Sequence, residues 1–443
     1  MNTAAPGGSA LLTRWLPLAL LALVVGHYFF FIERHAPNIP YQDDVLDFLQ
    51  VMAFTETSPG PADTAAILAT QHNDHRTMAS RLVVYTLFKL QGEVNFRTLV
   101  LVANLALPLM LFLFYLRVRT AAYRWVWLLP AALVLLHFRA FTLMLWSQAA
   151  FGNYWVFLYA FACLFAVHRV TWPRLALAAL FCTLASFTLA SGLVVWVLGL
   201  ASLVLQSLFG ERRPWIFAAV WLLAGASALL LWTTGFASVP DEDVIALFPD
   251  NAMNAPLAEQ LYRYAAFFLA IVGSAVSTES VVAAQAAGML MLLALAVCSL
   301  LALRDGDLRL ELCCWFAVAS AAAMSAGRAL WLEPSYVMDA RYTFVSVVLL
   351  AGLLVLVQAR LKLRGVAAGL CVCACAVYAT WIYRHFTPQL EATLQARIET
   401  FNRGHYPVFG QRTGVSTRIV ADAIEQGVYL PPCRPYPDCR RDD

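Results

Sequence analysis

Charged side chains are scarce in this chain of 443 residues: Asp, Glu, Lys and Arg make up 13%, whereas hydrophobic residues make up 61%. Soluble domains carry about 25% charged residues, so this composition excludes a soluble domain. It predicts an integral membrane protein with the lipid bilayer as a partner. A long basic run is also missing, and a net charge of +3 is small. We therefore expect no nucleic-acid partner.

Asp, Glu, Lys and Arg are absent from the long apolar runs. Runs of roughly 17 to 25 residues, with shorter ones extended by snorkelling ends, predict about eleven membrane spans. The predicted spans are 15–32, 98–116, 125–138, 149–167, 175–189, 192–209, 215–233, 280–303, 312–327, 342–358 and 365–382. Proton- and ion-coupled transporters usually place ionisable groups at membrane depth. The pattern therefore argues against that class and predicts an all-α polytopic fold.

The first apolar run lacks a small-residue cleavage site, which favours an uncleaved anchor over a signal peptide. If the N-terminus is cytoplasmic, most Lys and Arg of the short loops fall on the cytoplasmic side. This topology requires that the apolar run 264–276 does not cross, and we expect it to be a re-entrant or interfacial helix. The long polar segments then share the outer face. They are 33–97, 139–153, 234–262, 328–341 and the tail from residue 383.

Cysteine is rare in the polar segments. Eight of the ten cysteines lie in apolar stretches, where packing explains them. The other two, Cys433 and Cys439, lie in the polar tail. A disulfide between them would require an oxidising compartment such as a periplasm.

The polar segment after the first span carries two helix signals. Asp43 and Asp44 precede an apolar stripe that runs from Val45 to Phe54 at helical spacing, which predicts a short amphipathic helix on the bilayer surface. The sequence SPGP at 58–61 ends it. A second helix is expected from about residue 63 to 90, and it would place His72, His75 and Arg76 on one face.

Paired carboxylates at the membrane surface suit glycosyl transfer from a lipid-linked donor. Asp43 or Asp44 could take the proton from an acceptor hydroxyl as it attacks the anomeric carbon. The alternative is that both residues only cap the interfacial helix.

Cationic groups of the outer face are candidates for the donor phosphate. His72, His75 and Arg76 could contact it, and a divalent metal (Mg²⁺ or Mn²⁺) held by Asp43, His72 and His75 is a second interpretation. A solvated polar turn is the structural alternative.

Two further arginines, Arg328 and Arg341, flank the loop between two late spans. They could bind an anionic lipid phosphate, or they could simply snorkel at the interface beside a Trp and Tyr belt. Glu333 and Asp339 could pair with them. Asn73, Glu333 and Tyr342 are the candidates for substrate contact.

This arrangement resembles the GT-C superfamily of membrane glycosyltransferases that use polyprenyl-phosphate sugars. The shared features are one anchor span, a large outer loop that opens with an acidic pair, an HNDHR motif before the second span, and an Arg-Tyr pair, Arg341 and Tyr342, at a late outer helix start. The resemblance covers roughly residues 15–385. It divides the chain into a transmembrane catalytic domain, 1–385, with a first periplasmic loop at 33–97, and a periplasmic tail, 386–443.

The resemblance implies an inverting transferase of a bacterial inner membrane, with its active site on the periplasmic side. Asp43 would be the base, with Asp44 as the alternative, and Arg76 and Arg341 would contact the donor phosphate. The acidic motif departs from the commoner Asp-Glu pairing. The acceptor would be a surface polysaccharide, lipopolysaccharide or a pilin, and a pilin arabinosyltransferase is one specific relative. The rivals are a carrier or flippase for lipid-linked sugars, favoured by the break at 188–192, and a scaffolding subunit of an export complex.

Overall fold

The computed structural model describes residues 8–209, 215–237, 252–338, 340–406 and 413–432, and within these ranges it is helical without strands. Cys433, Cys439 and Asp339 lie outside the described residues. The helices, including short 3-10 and π turns, are Gly8–His35, Asp44–Leu49, Gln50–Glu56, Pro61–Leu68, Met78–Gln91, Phe96–Asn104, Ala106–Val118, Arg124–Leu135, Phe138–Ala140, Phe141–Met144, Ser147–Ala150, Phe151–Trp155, Val156–Val167, Trp172–Ser186, Ala190–Leu193, Val194–Phe209, Trp215–Thr233, Leu257–Gly273, Val281–Asp305, Arg309–Arg328, Pro334–Met338, Ala340–Leu361, Gly365–Asn402 and Thr413–Glu425.

Ten helical segments of the described chain are long and apolar enough to cross a membrane. They are Trp15–His35, Phe96–Val118, Arg124–Met144, Ser147–Val167, Ala190–Leu208, Trp215–Thr233, Val281–Arg304, Arg309–Arg328, Arg341–Leu361 and Gly365–Asn402. An all-α polytopic membrane protein is thereby confirmed as the fold class.

The difference from about eleven predicted spans lies at residues 175–189. The helix there, Trp172–Ser186, is apolar but has 15 residues, or about 22 Å at 1.5 Å per residue against the roughly 30 Å of a bilayer core, so it is too short to be counted with the ten. Its C-terminal end nevertheless reaches the first loop, where the carbonyl oxygen of Phe187 accepts from the backbone N–H of Ala79. The chain then turns sharply. A Cβ on Gly192 would lie 2.0 Å from the carbonyl oxygen of Ala185, so only glycine lets the turn fold back onto the helix end.

One end of the bundle collects short basic loops. Arg117 pairs with Asp307 at 3.5 Å, and Arg360 pairs with Glu311 at 2.9 Å. The indole of Trp127 donates to the carbonyl oxygen of Leu363. The loops that the positive-inside pattern assigns to one side are therefore neighbours in space.

The long polar segments meet at the opposite end. Tyr429, in the tail, donates to the carbonyl oxygen of Asn38 in the first loop at 2.8 Å. Arg397 donates to the carbonyl oxygen of Leu145 at 2.8 Å. The first loop, the turn near residue 145 and the C-terminal segment therefore form one cap on the bundle.

The apolar run 264–276 lies mostly in the helix Leu257–Gly273. Near its start, Arg263 contacts Glu333 at 3.4 Å, just before the helix Ala340–Leu361 begins. Beyond its end, the backbone N–H of Ala275 donates to Ser346 in the first turns of that helix. The helix Leu257–Gly273 and the residues just after it thus pack along the segment from Glu333 to Ser346.

The first helix of the polar segment differs from its prediction. It is a π-helical turn, Asp44–Leu49, followed by the α-helix Gln50–Glu56. The stripe residues Val45, Phe48 and Met52 are at most 1% exposed, and Phe48 contacts the ring of Phe151. The expectation that this stripe faces the bilayer is therefore wrong. The apolar stripe is covered by the apolar core of the protein instead of by lipid.

The second helix is interrupted. It divides into Pro61–Leu68 and Met78–Gln91, and between them His72 and His75 exchange backbone hydrogen bonds of 3.0 and 2.9 Å across a tight turn. His72, His75 and Arg76 therefore do not share a helix face, contrary to the prediction. Asn73, within the turn, has a φ of +48°, which asparagine tolerates better than most residues.

The tail does not start a new helix at Thr387 and Pro388, as their sequence signal suggested. The helix Gly365–Asn402 runs continuously for 38 residues through Pro388. The predicted boundary between residues 385 and 386 therefore falls inside a helix, and no break in secondary structure marks it.

Candidate functional site

Asp44, the alternative catalytic base, is buried, and both of its carboxylate oxygens accept hydrogen bonds. One carboxylate oxygen accepts from the Ser147 hydroxyl at 2.5 Å and from the Gln148 backbone N–H at 2.8 Å. The other accepts from the Tyr41 backbone N–H at 3.1 Å. Burial outweighs these hydrogen bonds and raises the pKa of Asp44 to about 7. The surroundings of Asp44 favour a structural role, in which it joins two polar segments.

Asp47, one turn later, forms a buried ion pair that sequence reasoning missed. Its carboxylate contacts the Arg81 guanidinium at 2.7 Å and accepts from the Thr77 hydroxyl at 2.8 Å and the Gln148 side chain at 3.1 Å. Burial alone would raise the pKa of Asp47, but Arg81 and the other partners hold it below its usual value. A signal was available: Asp47 interrupts an apolar stripe, and buried charges need partners.

Asp43 is the most exposed of these three carboxylates. Its side chain is 24% exposed, and one oxygen lies 3.8 Å from Nε2 of His72. Burial raises its pKa above the usual value, while His72 and Arg341 oppose the rise. Gln42, just before it, has a φ of +51°, and such strained backbone concentrates at functional sites. A partly exposed carboxylate with a raised pKa is suited to general-base catalysis.

The two histidines are held by their turn. The Asn73 side chain, itself exposed, lies 3.2 Å from Nε2 of His72. Burial lowers the pKa of His75 to about 4, with Asp74 opposing and Arg328 and His72 reinforcing the shift. His75 is therefore neutral at pH 7, and its ring can donate a hydrogen bond without carrying a charge.

Arg341 and Arg328 supply the positive charge of the site. Arg341 lies close enough to Asp43 to lower its pKa, and Arg328 lies close enough to His75 to do the same. Two arginines, two histidines and one aspartate predicted from sequence therefore converge. We call this group the acid–cation cluster: Asp43, His72, His75, Arg328 and Arg341.

The remaining predicted residues have other surroundings. Arg76 donates to the carbonyl oxygens of Ala69 and Thr234, so it ties the first loop to the end of the helix Trp215–Thr233. These contacts do not support its assignment as a donor-phosphate ligand. An arginine whose donors are used by backbone carbonyls has less to offer a phosphate.

Two predicted substrate residues are also placed elsewhere. Tyr342 is buried, with its ring below the Arg341 guanidinium and edge-on to Phe267, so it supports the arginine. Glu333 is exposed and contacts Arg263 at 3.4 Å. The structure therefore gives neither residue a direct place in the acid–cation cluster.

The candidate metal site combined Asp43, His72 and His75. Across the described ranges, no group of three His, Cys, Asp or Glu side chains could hold a metal ion. His75 uses its backbone, rather than its ring, to pair with His72. The three predicted ligands therefore do not form a metal-binding group in the described part of the chain.

Arg397 is a further residue that sequence reasoning missed. It is 7% exposed, and its guanidinium carbon lies 3.5 Å from the centre of the Tyr41 ring. Its signal was a lone arginine on the apolar face of Leu390, Leu394 and Phe401, at helical spacing. The long side chain can reach across the cap, so its partner could not be identified from spacing.

Comparisons of the chain with protein-family models, with curated proteins and with solved structures gave no match.

Proposed function

We propose that this protein is a GT-C-type inverting glycosyltransferase of a bacterial inner membrane. It moves one sugar from a polyprenyl-phosphate donor to a periplasmic acceptor, which is a surface polysaccharide, a lipopolysaccharide or a pilin. The observation that carries the proposal is the contrast among three neighbouring aspartates. Asp44 is buried and hydrogen-bonded, and Asp47 is buried and paired with Arg81. Asp43, in contrast, is partly exposed beside His72 and within reach of the charge of Arg341.

The chemistry is a single displacement at the anomeric carbon. The acceptor oxygen attacks, its proton passes to the Asp43 carboxylate, and the bond to the donor phosphate breaks with its electron pair on the phosphate oxygen. Arg341 and Arg328 stabilise the departing phosphate, and the neutral ring of His75 can donate a hydrogen bond to it. One displacement inverts the anomeric configuration. The polyprenyl chain would lie in the bilayer, beside the apolar helices.

A carrier or flippase was the main rival, and the break at 188–192 was its best support. The backbone N–H of Ala79, in the first loop, donates to the carbonyl oxygen of Phe187 at 2.9 Å. The break thus lies at the end of the bundle that carries the acid–cation cluster, whereas transporters usually place such breaks near the midplane. This position supports the transferase more than the carrier.

The decisive experiment compares surface glycans in a deletion strain that is complemented with variants. Asp43→Asn should be inserted at the normal level yet leave the acceptor unmodified, because an amide cannot accept the proton. Asp63→Asn, an exposed carboxylate in the first turn of the helix Pro61–Leu68, is the matched control and should behave as wild type. Normal glycans in the Asp43→Asn strain would remove the proposed base.

A further inference from the structure

A surface cleft with a cavity volume of about 190 Å³ opens next to the acid–cation cluster. One wall is the segment from Pro40 to Val45, and the other is the end of the helix Gly365–Asn402 with the residues that follow it. Gln42 lines the cleft and directly precedes Asp43, so a molecule in the cleft would end beside the proposed base.

The accessible lining of the cleft is rich in hydrogen-bonding groups. Thr393 and Thr400 contribute hydroxyls, Gln42 an amide and His405 an imidazole, while Tyr41 adds an aromatic ring. Buried Phe401 and Tyr406 close the apolar base. Hydroxyl, amide and imidazole groups beside an aromatic surface match a hydroxylated ring compound such as a sugar, which presents both hydroxyls and apolar C–H faces.

Arg397 gives this cleft a positive charge. Its Nη1 donates to the carbonyl oxygen of Leu145, whereas Nε and Nη2 have no hydrogen-bond partner among the described residues. Asp44 is the carboxylate that acts on it electrostatically, and burial raises the pKa of Asp44 to about 7. Asp44 is therefore only partly ionised at neutral pH. A buried, partly compensated guanidinium attracts an anion more strongly than an exposed one.

We propose that this cleft binds the acceptor and that the acceptor is a sugar carrying an acidic group, a carboxylate or a phosphate. The inference rests on the proposed transferase function and extends it. The donor phosphate occupies the acid–cation cluster, the acceptor enters from the cleft, and the turn at Gln42 and Asp43 joins the two.

Binding of small probes to the full-length protein in detergent tests the ligand chemistry. The probes are methyl glucoside, methyl glucuronide and methyl glucoside 6-phosphate, and saturation-transfer NMR measures their dissociation constants. At least one acidic probe should bind five-fold or more tightly than the neutral one, and the tighter of the two identifies carboxylate or phosphate. Equal binding of all three, or binding of none, would overturn the proposal.

Blocking variants test the location. Ala396→Trp fills the cleft and should weaken binding of the acidic probe at least ten-fold, whereas Gln395→Trp, its exposed neighbour outside the lining, should leave binding unchanged. Unaltered binding in Ala396→Trp would exclude this cleft. Arg397→Met should abolish the preference for the acidic probe, and a preference that persists in the folded variant would also count against the proposal.

The two proposals can fail separately. Asp43→Asn should bind the acidic probe as wild type does, because Asp43 is not part of the lining. If that variant also retains normal surface glycans, the transferase mechanism fails while the cleft remains a sugar-acid site. Suppose instead that Asp43→Asn removes the surface glycans, while Ala396→Trp leaves both probe binding and the surface glycans unchanged. Only the cleft proposal then fails.

Discussion

Three aspartates within five positions of the chain have three different environments. Asp43 faces His72 and is partly exposed, Asp44 is enclosed by hydrogen-bond donors, and Asp47 is paired with Arg81. Residue type alone does not distinguish them, because the role of a carboxylate depends on its burial and its neighbours. The partly exposed member is the one that can exchange a proton with a substrate.

Asp44 should make stability depend on pH. Its pKa is about 7 in the folded protein, above its ordinary value of 3.8, so the folded state holds the proton more tightly. This proton binding contributes at most about 4 kcal/mol to the free energy of unfolding. The contribution is complete below about pH 4 and is lost as the pH rises through 7.

Melting temperatures in detergent from pH 4.5 to 7.5 test this expectation. The difference between wild type and Asp44→Asn should change steadily in favour of the variant as pH rises, since the amide does not titrate. A difference that stays constant over this range would show that Asp44 does not titrate there.

Arg341 should govern use of the donor. Arg341→Ala removes a charge beside Asp43 and should raise the KM for the polyprenyl-phosphate sugar about ten-fold or more, because a charge-assisted contact is worth roughly 1.5–3 kcal/mol. Arg341→Lys keeps the charge and should recover part of the loss. A KM for donor that is unchanged in the alanine variant would refute the phosphate role.

At the scale of elements, the turn between the helices Pro61–Leu68 and Met78–Gln91 decides where the histidines lie. A continuous helix was expected there, yet the paired backbones of His72 and His75 form a tight turn. Helical periodicity predicts a face, but a turn places its side chains by backbone geometry. The prediction therefore named these histidines as candidate site residues but gave them the wrong geometry.

The backbone of Asn73 should be the sensitive point of this turn. Its φ of +48° suits glycine and strains a β-branched residue. Asn73→Gly should keep most of the transfer activity, whereas Asn73→Val should lose about 1–2 kcal/mol of stability and displace His72 from Asp43. Activity and melting temperature of the two variants give the comparison. Equal activity in both would mean that the turn conformation is unimportant.

The ion pair of Asp47 and Arg81 should hold the first loop to the helix Met78–Gln91. Both side chains are at most 2% exposed, so Asp47→Leu or Arg81→Met alone leaves a buried charge and should cost about 3–5 kcal/mol. The double variant should cost less than the sum of the two. A double-mutant cycle of unfolding free energies measures the coupling, and strictly additive losses would show that the pair contributes no specific interaction.

At the scale of the molecule, the bundle has a basic end and a polar end. The loops near Arg117 and Arg360 gather at the first, and the cap around Asn38, Leu145 and Tyr429 forms the second. Membrane chains keep their connecting loops outside the hydrocarbon, so these ends define the two faces. The acid–cation cluster and the proposed acceptor cleft share one face.

Cysteine labelling tests this arrangement. Asp63→Cys in the first loop and Gln395→Cys on the tail helix should react with a membrane-impermeant maleimide added to intact spheroplasts. Arg119→Cys, at the basic end and exposed, should react only after permeabilisation. Labelling of the wild-type chain under the same conditions gives the background from its own cysteines. Labelling of Arg119→Cys in intact spheroplasts, with none of Asp63→Cys, would invert the proposed topology.

The sequence by itself determined the class of the molecule, most of its membrane helices and the polar segment that carries the candidate base. These features follow from composition and from the length of apolar runs, which the bilayer constrains directly. The tertiary structure alone decided that Asp43 rather than Asp44 remains partly exposed, that Asp47 is paired with Arg81, and that Arg397 reaches Tyr41 from more than 350 positions along the chain. Burial and charge pairing depend on which distant segments meet, and no local pattern records that.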